Sequence, residues 1–247
     1  MGLARAISKL GICSRSQACE WIAAGRVRLS GATTRNPEAP VRMGVDRIEI
    51  DEQPAAAKER IYLVLNKERG VVTSAADEKG RATVYDSLPQ ALRGSDARWI
   101  APVGRLDKAS EGLLLMTNDS EWAARVTSPE SHLDKTYHVQ IAAIAGDTLL
   151  DTLKRGVQDR GEFLAAKRAS LIRAGEKNSW IELVLDEGKN RHIRRMLESL
   201  GIEVLRLIRV SIGPLLLGDL KPGGSRLLTP QEKSSIDRAL THRGGVR

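Results

Sequence analysis

The chain of 247 residues is short of several things, and each shortage closes a class of function. No apolar run approaches the roughly 18 residues that a spanning helix needs. The opening Met1-Gly2-Leu3-Ala4-Arg5-Ala6 has no hydrophobic signal core, and Ala6 stands where myristoylation wants Ser or Thr. Two cysteines, Cys13 and Cys19, cannot build a disulfide scaffold, so a reducing cytoplasm is expected and both read as small buried apolar residues. Aromatics amount to four Trp, three Tyr and one Phe, which leaves the core to aliphatic side chains. There is no Gly-x-x-x-x-Gly-Lys loop and no Gly-x-Gly-x-x-Gly, so a nucleotide cofactor has no obvious cradle. The four histidines (His132, His138, His192, His242) form no His-x-x-x-His pair, and no Gly-x-Ser-x-Gly elbow serves a serine nucleophile. Any enzyme made from this chain is expected to work with ordinary side chains, without metal or cofactor. The Asn118-Asp119-Ser120 sequon has no use in a cytoplasmic protein.

What is present is a globular composition, 41% apolar and 28% charged, with a net charge of +8. Residues 1–50 hold half of that excess: eight Arg or Lys against Glu20, Glu38, Asp46 and Glu49. Phosphate backbones reward such clustering through counterion release, which makes nucleic acid the leading partner. Within this stretch Leu3, Ile7 and Leu10 recur at helical spacing up to Gly11. Ser14-Arg15-Ser16-Gln17 reads as a capping box opening a second helix, with Ala18, Trp21 and Ile22 inward and Gly25 as its stop. Arg26–Leu29 and Arg47–Ile50 alternate as strands, with a turn at Ser30-Gly31. Residues 51–60 show no apolar periodicity and read as a linker.

Three later segments stand out. Gly104-Arg105-Leu106-Asp107-Lys108-Ala109-Ser110-Glu111-Gly112 is a polar loop with glycine at both ends, followed by an apolar strand, Leu113–Thr117. A carboxylate held on a core strand suits catalysis, although Asp107 would equally cap its own turn. In Leu133–Ile141, Tyr137, Val139 and Ile141 share one strand face, which makes Tyr137 either a core tyrosine or a stacking platform for a base. In Gly188–Gly201, Ile193, Met196, Leu197 and Leu200 form the buried stripe of a helix. On that wheel Arg191 and Arg195 face solvent and Arg194 lies at the stripe's edge.

The first fifty residues resemble the alpha-L RNA-binding domain named after ribosomal small-subunit protein four, through Ser14-Arg15, Gly25-Arg26-Val27 and Gly31. That resemblance implies RNA docking through Arg15, Arg26 and Arg28. The three later segments together are similar to the pseudouridine synthase family, in the branch that acts on ribosomal RNA with this domain at its N-terminus. They are Gly104-Arg105-Leu106-Asp107 with Glu111-Gly112-Leu113-Leu114-Leu115 and Thr117-Asn118-Asp119, then Lys135-x-Tyr137, then Gly188-Lys189-Asn190-Arg191-x-Ile193-Arg194-Arg195-Met196. Asn66-Lys67 with Gly70-Val71-Val72, and Arg209 with Ile212-Gly213-Pro214-Leu215, Leu220, Gly224 and Arg226, extend the likeness. Glu68, Ser110, Ser120 and His192 depart from the residues usual there (Pro, Thr, Gly and Gln).

The resemblance implies isomerisation of uridine to its carbon-linked isomer in ribosomal RNA, with large-subunit RNA favoured. Asp107 would be the nucleophile, Arg194 its supporting ion-pair partner and Tyr137 the stacking residue. Arg105, Lys189 and Arg191 would be further RNA contacts. The implied architecture is α+β and monomeric. An RNA-binding domain over 1–50 precedes a catalytic domain over 61–237, whose mainly antiparallel sheet contains Ile61–Leu65, Leu113–Thr117, Tyr137–Ile141, Ile181–Leu185 and Val204–Ile212. Residues 238–247 read as a flexible basic tail. Two other readings compete: a non-catalytic ribosome assembly protein, and a glycosidase using Glu111 as second carboxylate.

Overall fold

The computed structural model describes residues 1–74, 80–92 and 99–241. Helices α1 (Leu3–Lys9) and α2 (Arg15–Ala23) pack on a four-stranded sheet of β1 (Val27–Leu29), β2 (Ala32–Thr33), β3 (Ile48–Ile50) and β4 (Gln53–Pro54), ordered β2-β1-β3-β4. The apolar periodicity finds its partners: Leu3, Ile7, Ala18, Ile22, Val27 and Ile48 close one small core. The Ser14 hydroxyl accepts the Gln17 N–H at 3.1 Å, capping α2. Trp21 is only half-buried, because its ring meets the Arg26 guanidinium 5.1 Å away instead of the core. Cys13 is buried, and burial followed by the neighbouring Cys19 raises its pKa to about 12.

The linker expected over 51–60 needs revision. Asp51 and Glu52, both at positive φ, make a two-residue turn that pairs β4 with β3. The stretch after β4 is docked as well. The Lys58 N–H reaches the Leu10 carbonyl at 2.9 Å, and Arg60 donates to the carbonyls of Lys9 at 2.6 Å and Asn118 at 3.1 Å.

The remainder is one large sheet and a separate two-stranded hairpin, with helices. In chain order come β5 (Tyr62–Lys67), β6 (Ala101–Val103), β7 (Glu111–Thr117), α3 (Ser120–Thr127), β8 (Lys135–Ile141), α4 (Asp147–Arg155), β9 (Val157–Asp159), β10 (Glu162–Leu164), β11 (Arg168–Ala174) and β12 (Ser179–Leu185). They are followed by α5 (His192–Glu198), β13 (Val204–Ile212), β14 (Leu215–Leu216), β15 (Ser225–Leu227) and α6 (Pro230–Thr241). The nine-stranded sheet runs β11-β12-β8-β13-β7-β5-β15, with β14 on β13 and β6 on β7. Among these pairings β13–β7 is parallel and the others antiparallel, so the expected mixed fold with a mainly antiparallel sheet is what forms. Leu113–Met116 is buried on both faces of β7: Leu113 and Leu115 against Trp122 and Ile236, Leu114 and Met116 against Leu63, Leu65 and Ile100. That double covering is why its sequence is continuously apolar.

Two further expectations are corrected. Arg195 does not face solvent: its side chain is 10% exposed, with Nε on Asp159 at 2.6 Å and a second contact to Glu162. The β9–β10 hairpin lies over that side of α5, and no helical wheel contains it. The basic tail is also shorter than expected. Residues 238–241, Arg238 included, belong to α6, because Ile236, Ala239 and Leu240 pack beside Trp122 and the Trp122 indole donates to Asp237 at 2.9 Å. Residues 242–247, with Arg243, Gly244, Gly245 and Arg247, lie outside the described residues.

Gly112 sits where β7 meets β13. Its φ is +101°, and a Cβ there would lie 2.3 Å from the Arg209 carbonyl oxygen. Gly112→Ala is expected to cost at least about 3 kcal/mol in urea unfolding, since strain and backbone collision add. Gly31, at φ +87° with open space around it, should cost only about 1 kcal/mol as Gly31→Ala. Equal costs would contradict the packing described at this junction.

Candidate active site

The three segments singled out in the sequence converge on one cleft of about 280 Å³. Its lining includes Arg105 and Asp107 from the β6–β7 loop, Lys135 and Tyr137 from β8, Lys189 and Arg191 before α5, and His192 and Arg194 on it. Arg209 of β13 completes the floor. Asp107 and Tyr137 are half-buried at this surface, whereas Arg105 and Arg191 are exposed.

The loop that carries Asp107 is held by its backbone. Every carbonyl from Leu106 to Ser110 accepts a hydrogen bond: Leu106 from Thr73 Oγ1 at 2.9 Å, Asp107 from the Ser110 N–H at 3.0 Å, and Lys108 from the Gly70 N–H at 2.7 Å. Ala109 accepts from Arg194 Nη2 at 3.0 Å, and Ser110 from Lys67 Nζ at 2.8 Å. A loop so fully satisfied is rigid, and its carboxylate is presented in a fixed direction. Two of these donors, Thr73 and Gly70, come from the segment after β5, and Lys67 ends that strand. Sequence reading gave none of the three a role. The available signal was the Asn66-Lys67 pair, polar residues directly after the apolar Leu63-Val64-Leu65, with Gly70 following.

Arg194 does not play the part the resemblance implied in the way expected. No hydrogen bond or ion pair joins it to Asp107; its head instead grips the Ala109 carbonyl, with a longer contact of 3.5 Å to Val204. Burial lowers the Arg194 pKa, and the Asp107 charge opposes that shift, so the two groups act on each other through space. Lys189 is committed to Glu187 at 2.8 Å and to the Phe163 carbonyl at 2.9 Å. His192 is buried, and Glu187 lies 3.7 Å from its Nδ1; burial lowers its pKa, and the Glu187 charge opposes that shift. Glu111 lies outside the cleft lining and is held bidentately by Arg206, at 3.1 and 2.7 Å, which removes the second carboxylate a glycosidase would use. Among the described residues no cluster of three His, Cys, Asp or Glu is placed to hold a metal ion.

The N-terminal arginines lie elsewhere. Arg26 is paired with Asp51, its Nε donating at 2.8 Å, and Arg28 donates to the Gly31 carbonyl at 2.8 Å. Arg15 opens onto a second cleft of about 800 Å³, where α1 and α2 meet α3 and where Arg5, Lys9, Arg60 and Arg125 also converge. Lys9 bridges to Glu121 there at 2.7 Å.

Burying Lys67, which is 1% exposed, lowers its pKa from 10.5 to about 8 although Asp107 and Glu111 pull the other way. Below about pH 8 both folded and unfolded chains carry this proton, and the cost of the buried cation is felt in full. Between about 8 and 10.5 the unfolded chain binds more protons, so stability rises with pH. Urea unfolding across that window should show this rise in the native chain and lose it in Lys67→Met.

With the geometry in place, comparison with known proteins assigns the chain. The RNA pseudouridylate synthase family matches residues 61–199, and the S4 domain matches residues 1–46. The chain is 37% identical to ribosomal large subunit pseudouridine synthase B of Bacillus subtilis (strain 168), over 98% of this chain and 97% of that protein. It is 32% identical to an uncharacterized RNA pseudouridine synthase of Aquifex aeolicus (strain VF5), over 95% and 92%. A crystal structure of a pseudouridylate synthase superposes with a TM-score of 0.65 at 29% identity, covering 97% of this chain and 99% of that one. The chain therefore belongs to the RNA pseudouridylate synthase family, with an S4 domain at its N-terminus.

Proposed function

We propose that the protein isomerises uridine to pseudouridine in large-subunit ribosomal RNA, with Asp107 as the reacting carboxylate. The observation that carries this reading is the loop of Asp107, clamped at all five carbonyls and lining one cleft of about 280 Å³ together with Tyr137. The choice of large-subunit RNA follows the name of the Bacillus relative. The S4 domain, taken as residues 1–50, holds the RNA, the unit over 61–237 carries the chemistry, and the protein acts as a monomer in the cytoplasm.

The target base leaves its stack, at a cost of a few kcal/mol, and enters between Tyr137 and the Asp107 loop. The ionised carboxylate of Asp107 assists cleavage of the bond between N1 and the ribose, as nucleophile or as counter-charge to an electron-poor sugar. The uracil turns while Tyr137 stacks on it, and C5 bonds to the ribose. C5 gives up its proton as N1 gains one, so product and substrate contain the same atoms. Arg194 holds the carboxylate through the Ala109 carbonyl and through its charge, and is a positioning residue. Arg105, Lys189 and Arg191 at the rim, with Arg15, Arg26 and Arg28 on the S4 domain, meet the phosphates.

Asp107→Asn is expected to abolish pseudouridine in large-subunit rRNA incubated with the protein while RNA affinity stays within about twofold, because hydrogen bonding and shape survive and the charge does not. Product formation by this variant would refute the role of Asp107. Release of free uracil by the native chain would point to hydrolysis. Tyr137→Ala should weaken productive binding by about tenfold, the worth of one stacked base. Arg15→Gln should lower RNA affinity and reduce the salt slope by about one, measured by titration at several salt concentrations.

A further inference from the structure

The cleft contains more positive charge than its own acids neutralise. Lys135 and Tyr137 stand two residues apart on one face of β8, and Arg209 lies opposite Tyr137 in the β8–β13 register. Lys135 and Arg209 therefore flank the same tyrosine on the cleft side of the sheet. Across the parallel pair Arg209 meets Gly112, which brings no side chain.

Arg209 is 6% exposed, and burial of a guanidinium normally demands a carboxylate. It has none among the described residues: Nε donates to the Leu113 carbonyl at 2.7 Å, and Nη2 is enclosed without a partner. Among the described residues the Lys135 ammonium makes no hydrogen bond or ion pair. Of the acids that act on it through space, Asp134 is held by Lys167 at 2.7 Å, and Asp186 lies 3.8 Å from His132 Nδ1. Of the acids lining the cleft, Glu187 is held by Lys189, and Asp107 pairs with neither cation. Burial lowers the Lys135 pKa first and the charge of Arg209 lowers it further, while the more weakly felt charges of Asp186 and Asp134 act in the opposite sense. Arg194, a further cation of the lining, adds to the same field.

We infer that Lys135 and Arg209 form an anion subsite in the cleft floor, beside Tyr137, that takes a phosphate of the nucleotide whose base lies in the cleft. The cost of bringing two cations together in the free protein is offset when a phosphodiester arrives, so the subsite favours the extruded nucleotide over a free nucleoside. That the phosphate belongs to an RNA chain rests on the proposed isomerase activity; the preference for phosphate does not.

The test uses the full chain and two probes, uridine and uridine 5′-monophosphate, compared by titration calorimetry at low salt. The nucleotide should bind at least about tenfold more tightly than the nucleoside, the effect of one charge-assisted contact. Lys135→Gln should bring the two within about twofold, and Lys135→Arg should keep the preference. Arg209→Gln should act like Lys135→Gln; where it fails to fold, the half-exposed Lys135 decides alone. Equal binding of both probes, or a preference that survives Lys135→Gln, overturns the inference, because a purely structural Lys135 would leave the ratio unchanged. A chain that prefers the monophosphate yet forms no pseudouridine would retain the subsite and lose the isomerase activity. A chain that forms pseudouridine while binding both probes alike would do the reverse.

Discussion

A lysine buried under the loop it supports is the constraint on which the site depends. Lys67 gives two hydrogen bonds, to the carbonyls of Glu68 at 3.0 Å and Ser110 at 2.8 Å, and in exchange loses its water. Such a side chain is tolerated only where its donors are used and anions lie near, and here Asp107 and Glu111 supply the field. The consequence runs in both directions. The loop cannot shift without stranding the cation, and the carboxylates of Asp107 and Glu111 nearby help the cation keep its charge. Thr73, Gly70 and Arg194 fix the remaining carbonyls from three other parts of the chain. The carboxylate is thus positioned by backbone clamps, and its own oxygens are left free of a guanidinium that would compete with a substrate.

What the sequence disclosed and what it withheld divide along a physical line. Local signals sufficed for the apolar run of β7, for the cap at Ser14 and for the glycine that ends α1, whereas the strand at Val204–Ile212 was expected from the family likeness. The three segments that build the cleft were also legible, because Asp107, Tyr137 and Arg194 each stand in a distinctive local pattern. The failures share a cause, which is a partner distant in sequence. Arg195 is covered by a hairpin more than thirty residues earlier (|i−j| of 36 to Asp159 and 33 to Glu162). Residues 238–241 stay helical because Trp122, over a hundred residues away, takes Asp237 as its acceptor (|i−j| of 115). Arg194 prefers the Ala109 carbonyl over Asp107 through a loop geometry that no pattern of residue types encodes.

The same distinction explains the charge. A net +8 says only that an anion is wanted, whereas the structure sorts the cations by what they already hold. Arg26, Arg195, Arg206 and Arg226 are spent on Asp51, on Asp159 and Glu162, on Glu111 and on Glu232. Their contribution is structural, modest where exposed and larger for the covered Arg195. Cations without a carboxylate partner among the described residues line both clefts, Lys135 and Arg209 among them in one, and Arg5, Arg15 and Arg125 in the other. These cations can meet a polyanion without first displacing a carboxylate.

Between those clefts lies a seam that makes the two parts of the chain act as one body. Arg60 bridges the Lys9 carbonyl of α1 to the Asn118 carbonyl at the end of β7, and Lys9 reaches Glu121 on α3. Asn118, fully buried, accepts from the Ile61 N–H at 2.8 Å and donates to the Glu59 carbonyl at 2.8 Å, so the segment joining the two parts is tied at both ends. Gly11 meets this knot closely, 3.0 Å from Arg60 and 3.2 Å from Asn118 at the position of a Cβ, which leaves no room for a side chain. A seam of satisfied backbone groups without slack resists the hinge motion that a solvated linker would allow.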